Sequence, residues 1–100
     1  MARIILSERI AEDAARIIEH LREHEAHDAE ARFSAIYLGI DALADNPLIG
    51  RPYQGPWREL VIGRDSRGYV VLYTYQPLTD VVHVWAIRAQ REAGYATEFP

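Results

Sequence analysis

The chain has 100 residues, 49% hydrophobic and 26% charged, with a net charge of −4. That length supports one small domain over residues 1–100, and the hydrophobic content excludes a disordered polymer. The acidic balance excludes a simple polyanion coat, the absence of cysteine excludes disulfides and thiolate metal sites, and no apolar run approaches the roughly 20 residues of a membrane span.

These features predict a cytoplasmic protein with no cofactor, no bound metal and no membrane partner. Charge is unevenly distributed. Residues 1–50 hold ten acids and five arginines, and residues 51–100 hold five acids and six arginines. Lysine is absent altogether, as genomic codon bias toward arginine would produce.

Arg3-Ile4-Ile5-Leu6 is a short apolar run and predicts a first strand. Ser7 offers a hydroxyl for a helix N-cap, and Glu8, Glu12 and Asp13 lie near the positive end of the helix dipole. Ile10, Ala14, Ile17, Ile18 and Leu21 then recur at helical spacing, which predicts an amphipathic helix to about residue 25. Asp28 starts a second helix, whose apolar stripe runs through Ala29, Phe33, Ile36, Tyr37, Ile40, Leu43 and Ala44. Asn46-Pro47 ends it, because proline disfavours helical geometry in the residue before it. Two helices with one apolar side each form a hairpin that needs a sheet beneath it.

Residues 46–56 carry three prolines and two glycines and read as a loop. Trp57 to Ile62 predicts a strand, and Tyr69 to Tyr75 another, rich in β-branched and aromatic residues. Val81 to Ile87 is the last predicted strand, and Arg88 to Pro100 reads as an irregular or partly helical tail. The order is β-αα-βββ. It predicts an α+β fold with a helical hairpin on one face of a mainly antiparallel sheet.

Strict alternation puts Val70 and Leu72 on one side of their strand and Tyr69, Val71, Tyr73 and Tyr75 on the other. In the last strand it sets His83, Trp85 and Ile87 against Val82 and Val84. Both faces are thus apolar, although the helices cover only one. The tail, a second copy or a partner's helix or strand would cover the other, so Val70, Leu72, His83, Trp85 and Ile87 are candidate partner contacts.

His24 and His27 have a spacing that metal ligands use, but a solvated helix end explains them better. Arg88, Arg91, Glu92 and Tyr95 form the cluster with chemical potential. Arginine can neutralise a developing phosphate charge, and tyrosine or glutamate can move a proton. A surface cluster with Glu92 paired to one of these arginines accounts for the same residues.

The hairpin ending in Leu43 and Asn46-Pro47, followed by Gly50-Arg51-Pro52, Arg58-Glu59-Leu60-Val61, Gly68-Tyr69-Val70-Val71-Leu72-Tyr73 and Ile87-Arg88, then Gln90-Arg91-Glu92-Ala93-Gly94-Tyr95, resembles the RelE/ParE toxin superfamily. These are the toxin halves of bacterial type II toxin–antitoxin modules. The resemblance spans nearly the whole chain. It implies a β-αα-βββ fold, and an antitoxin whose extended C-terminal segment wraps the toxin in a hetero-oligomer.

RelE-like members cleave messenger RNA in the ribosomal A site, whereas ParE-like members poison DNA gyrase. This chain has Val70 where RelE-like toxins usually carry an arginine, and Ala89 where many relatives carry a histidine. It is also acidic and lacks lysine, which suits a ribosome-binding protein poorly. The resemblance therefore implies a ParE-like gyrase inhibitor rather than an enzyme, with Arg58, Arg64, Arg67, Arg88, Arg91, Glu92 and Tyr95 as candidate target contacts. The alternatives are a ribosome-dependent endoribonuclease using Arg88, Arg91 and Tyr95, and an interaction module that has lost toxicity.

Overall fold

A computed structural model of the chain describes residues 1–23, 28–63 and 68–91. Strand β1 (Arg3–Leu6) leads into helices α1 (Ile10–Glu23) and α2 (Ala29–Ala42), followed by strands β2 (Arg51–Pro52), β3 (Trp57–Ile62), β4 (Tyr69–Gln76) and β5 (Val81–Ala89). The strands form a single sheet in the order β1-β5-β4-β3-β2. Among the described residues, the β1–β5 pair alone is parallel. Helix α1 lies over β5, and α2 over β3 and β4. The predicted α+β architecture is the observed one.

The helix spacing read from the sequence produces the core. Ile10, Ile17 and Leu21 of α1 and Ile36, Ile40 and Leu43, on α2 and just beyond it, meet Tyr69, Val71 and Tyr73 of β4 and Val82, Val84 and Ile87 of β5. Gly39 lets α2 approach β3 closely, since a Cβ there would fall 2.6 Å from the Ile62 Cδ1 methyl.

Five local expectations change. Arg51 and Pro52 form a fifth, two-residue strand inside the segment read as a loop, paired with Glu59 and Arg58. Proline is tolerated there because β2 is an edge strand. Strand β5 runs on to Ala89, so Arg88 belongs to the sheet and not to the tail. Ser7 does not cap α1 with its hydroxyl, which donates instead to the Trp85 carbonyl at 2.9 Å. The Asp28 side chain makes no capping bond either and pairs with Arg32 at 3.0 Å.

The fifth change decides which side chains face away from the helices. Leu72 pairs with Ala86 but Tyr73 pairs with Val84, so Trp85 is an extra residue in β5. Such a bulge reverses the alternation beyond it. Val82 and Val84 face the helices before it, Ile87 faces them after it, and Ala86 and Arg88 take the far side. Ile87 is therefore a core residue, contrary to its placement with His83 and Trp85 by strict alternation.

Beyond Leu6, strand β1 no longer covers the edge of β5. Side chains take over. After Ser7 meets Trp85, the Asp13 carboxylate accepts the Ile87 N–H at 3.0 Å and Arg16 donates to the Ile87 carbonyl at 3.1 Å. Asp13 is only 3% exposed and lies 3.4 Å from Arg9 and 3.5 Å from Arg16. A buried carboxylate survives because it is both hydrogen-bonded and charge-paired. In place of a neighbouring strand, α1 thus satisfies backbone groups that an open edge would offer to another chain.

Candidate functional site

The far side of the sheet carries a charge network across three strands. Glu59 of β3 is 4% exposed. Its Oε1 accepts from Arg51 Nε at 3.2 Å and Arg51 Nη2 at 3.1 Å, and its Oε2 lies 3.6 Å from Arg88 Nη2. Arg88 also donates to the carbonyls of Ala89 at 3.2 Å and Gln90 at 3.1 Å. Because β4 lies between β3 and β5, the Arg88–Glu59 contact crosses above Val70 and Leu72.

Those two residues are fully buried, as is Ala86 beside them. Val70 and Leu72, candidate partner contacts from the sequence, are thus buried in the structure, and the ion pair spans the strand on which they sit. Two arginines around one carboxylate leave the trio with a net charge of +1, and Arg51 is the most exposed member.

Toward the other end of the same face lies an aromatic row. His83 stacks on Trp85 with ring centroids 3.8 Å apart, Trp57 meets Trp85 edge-on at 5.5 Å, and the Trp85 indole N–H donates to Thr74 at 3.0 Å. All four are half-buried, and Ile5, paired with His83 across the sheet, is exposed beside them. Burial lowers the His83 pKa below its usual value. His83 and Trp85 thus form the accessible part of the apolar face predicted from sequence. Trp57 and Ile5 belong with them, and neither was singled out from the sequence as a partner contact.

The arginines predicted as one cluster part company. Arg91 Nη2 lies 3.1 Å from His20 Nε2 on α1, on the helix side, while Arg88 is tied to Glu59 on the far side. Arg58 donates to the Gly50 carbonyl at 2.7 Å and to the Leu48 carbonyl at 3.3 Å, so it anchors a loop as well as carrying charge. Arg64, Arg67, Glu92 and Tyr95, and likewise His24 and His27, lie outside the described residues. Among the described residues no group of three or more His, Asp or Glu is placed to hold a metal ion, and no helix is long and apolar enough to cross a membrane.

The loop that Arg58 anchors has a second clamp. Tyr73 is fully buried in the core, and its hydroxyl donates to the Pro47 carbonyl at 2.8 Å and accepts the Gly50 N–H at 2.9 Å. Burial raises the Tyr73 pKa despite the hydrogen bond from Gly50 and the nearby Arg58 charge. A Cβ at Gly50 would stand 2.6 Å from that hydroxyl and 2.9 Å from the Glu59 carbonyl, so only glycine fits without displacement. Sequence reading treated Tyr73 as one more strand aromatic. The Pro47 to Gly50 turn, 23 to 26 residues before that tyrosine, carries no signal that the two meet.

The sequence profile of the family described as ParE toxin of type II toxin–antitoxin system, parDE, matches residues 4–94. No curated protein matches the chain. Among solved structures, a chromosomal ParDE toxin–antitoxin system from P. aeruginosa contains a similar chain, 18% identical, with a TM-score of 0.70 over 89% of this chain and 96% of that one. The intact E. coli RelBE toxin–antitoxin complex contains another, 15% identical, with a TM-score of 0.61 over 92% of this chain and all of that one. At these identities the two structures speak for the fold.

Proposed function

The chain belongs to the ParE toxin family of type II toxin–antitoxin systems, and from that premise we propose that it arrests growth by poisoning DNA gyrase and that a cognate antitoxin neutralises it. The family match over residues 4–94 carries this reading. The arrangement of the arginines agrees with it. A metal-free ribonuclease would need cationic groups converging on one phosphate, whereas Arg88 is bound to Glu59 and Arg91 reaches His20 on the opposite side. The acidic, lysine-free composition also fits a protein target better than ribosomal RNA.

In this reading the toxin acts in the cytoplasm by binding and has no reaction of its own. The antitoxin packs on the far face of the sheet over His83, Trp85, Trp57 and Ile5, with the Arg51 guanidinium offering a charge contact at one side. Half-buried aromatic residues suit this role, because they bring large contact area at small cost in side-chain freedom. Val70 and Leu72 lie on that face beneath the Arg88–Glu59 pair, and Ile87 supports it from the core side. Arg91, together with Arg64, Arg67, Glu92 and Tyr95, remains the proposed target-contacting set.

Inducing the chain with and without its antitoxin, and following plasmid supercoiling and messenger RNA together, tests the proposal. Growth arrest with altered supercoiling and intact messages is expected. Codon-phased cuts in translated messages would assign the chain to the endoribonuclease reading. Harmless expression without any antitoxin would point to an interaction module.

A further inference from the structure

The segment joining α2 to β3 exposes two adjacent aliphatic side chains on a backbone that the core holds in place. Leu48 is 59% exposed and Ile49 52%. Isolated exposed leucines need no explanation, but this pair is mounted differently. The buried Tyr73 hydroxyl binds Pro47 and Gly50 on either side of it, Arg58 binds the carbonyls of Leu48 and Gly50, and the Ile49 N–H returns to the Asn46 carbonyl at 3.3 Å. Pro47 and Pro52 fix φ at both ends.

We propose that Leu48 and Ile49 form a preorganised apolar knob that inserts into a nonpolar pocket on the protein this toxin inhibits. This inference rests on the toxin reading above but not on gyrase being the target. The occupant is a protein, because the only cations between Asn46 and Arg58 are Arg51, bound to Glu59, and Arg58, bound to loop carbonyls. A nucleic acid would require charges directed at phosphates. A second copy fits poorly, since two aliphatic side chains supply far less than the roughly 1,200 Å² of a stable interface and serve instead as an anchor within a larger one. The antitoxin surface proposed above centres on the aromatic row of the far face, whereas Tyr73 and its register partner Arg58, which hold this loop, stand on the helix side of the sheet. Fixing the loop in advance removes much of the ordering cost of binding.

The test uses the full chain carrying Leu48→Ser and Ile49→Ser together, with Leu78→Ser, at a 94% exposed position in the β4–β5 turn, as control. Neither substitution touches the clamp, so the unfolding temperature should stay within about 2 °C of wild type. The expected result is growth arrest weakened at least roughly tenfold in the double variant, with the control unchanged, as losing two buried aliphatic contacts implies. Arrest at wild-type strength overturns the proposal. So does arrest that persists but escapes rescue by the co-expressed antitoxin, which would assign the knob to the antitoxin. Loss of a wild-type dimer in sedimentation would assign it to a second copy instead. A supercoiling assay on purified gyrase runs in parallel. If wild type arrests growth but spares gyrase, the gyrase reading fails while the knob is still judged on arrest. A wild-type chain that never arrests growth sinks both.

Discussion

Tyr73→Phe removes one oxygen atom from the centre of the structure and tests how the loop after α2 is held. The ring remains, so apolar packing against Ile36, Ile40 and Val84 is preserved. What disappears is the acceptor for the Gly50 N–H at 2.9 Å and the donor to the Pro47 carbonyl at 2.8 Å. The Gly50 bond is buried, so its N–H is stranded and the full desolvation penalty of about 1–3 kcal/mol applies. The Pro47 bond is only part-buried, and water can replace much of it. A net loss of about 2 kcal/mol follows, which for a domain of this length lowers Tm by roughly 8–16 °C. Thermal unfolding followed by circular dichroism measures it. Arg58→Ala removes the second clamp, and a double-mutant cycle between the two should give a coupling above about 0.5 kcal/mol, because both hold the same backbone. A Tm within about 1 °C of wild type, or strict additivity, would show that the Tyr73 hydroxyl does not hold this loop.

Four other outcomes follow from the same contacts. Gly50→Ala should destabilise by about 1–3 kcal/mol in denaturant titration, since its methyl group meets the Tyr73 hydroxyl and the Glu59 carbonyl at 2.6 and 2.9 Å. Asp13→Ala should cost about 2–4 kcal/mol, because it leaves the Ile87 N–H unpaired and two arginines without their carboxylate, whereas an exposed change such as Glu19→Ala should fall within about 0.5 kcal/mol. Glu59→Gln should destabilise by setting Arg51 and Arg88 against each other, while the paired replacement Glu59→Leu with Arg88→Met should recover most of the loss. Stability should also have an acid and an alkaline limit. The folded pKa of His83 is depressed, so its contribution is complete above about pH 6.5 and declines as pH falls through the folded value; those of Tyr69 and Tyr73 are raised, so theirs hold below about pH 10 and decline above it. Urea midpoints across pH measure both limits, and replacing His83 with phenylalanine should weaken the acid one.

The sequence was legible wherever one periodicity governed a whole element. The α1 stripe through Ile10, Ala14, Ile17 and Leu21 is the buried side of that helix, and the Arg3–Leu6, Trp57–Ile62 and Tyr69 strand starts stand where alternation and turn residues put them. Parity failed at one residue. A bulge at Trp85 is invisible to a rule with period two, and beyond it Ile87 went to the core and not to the side of His83.

Charges were the other blind spot. Sequence shows that Arg58, Arg88 and Glu59 exist but not that Glu59 takes Arg88 across a strand, nor that Arg58 turns toward loop carbonyls. Asp13 looked like a dipole-neutralising residue in a first turn, and its buried bond to Ile87 spans 74 positions of chain. Long-range partners of this kind depend on the finished topology. No local pattern encodes them.

The most direct measurement mixes the purified chain with DNA gyrase, supercoilable plasmid and ATP, and scores cleaved-complex accumulation as antitoxin is titrated in. A gyrase-poisoning toxin gives linear plasmid that rises with toxin, disappears at stoichiometric antitoxin, and leaves the gyrase subunits chemically unaltered. Gyrase that turns over normally at toxin concentrations sufficient to stop cell growth would contradict gyrase poisoning.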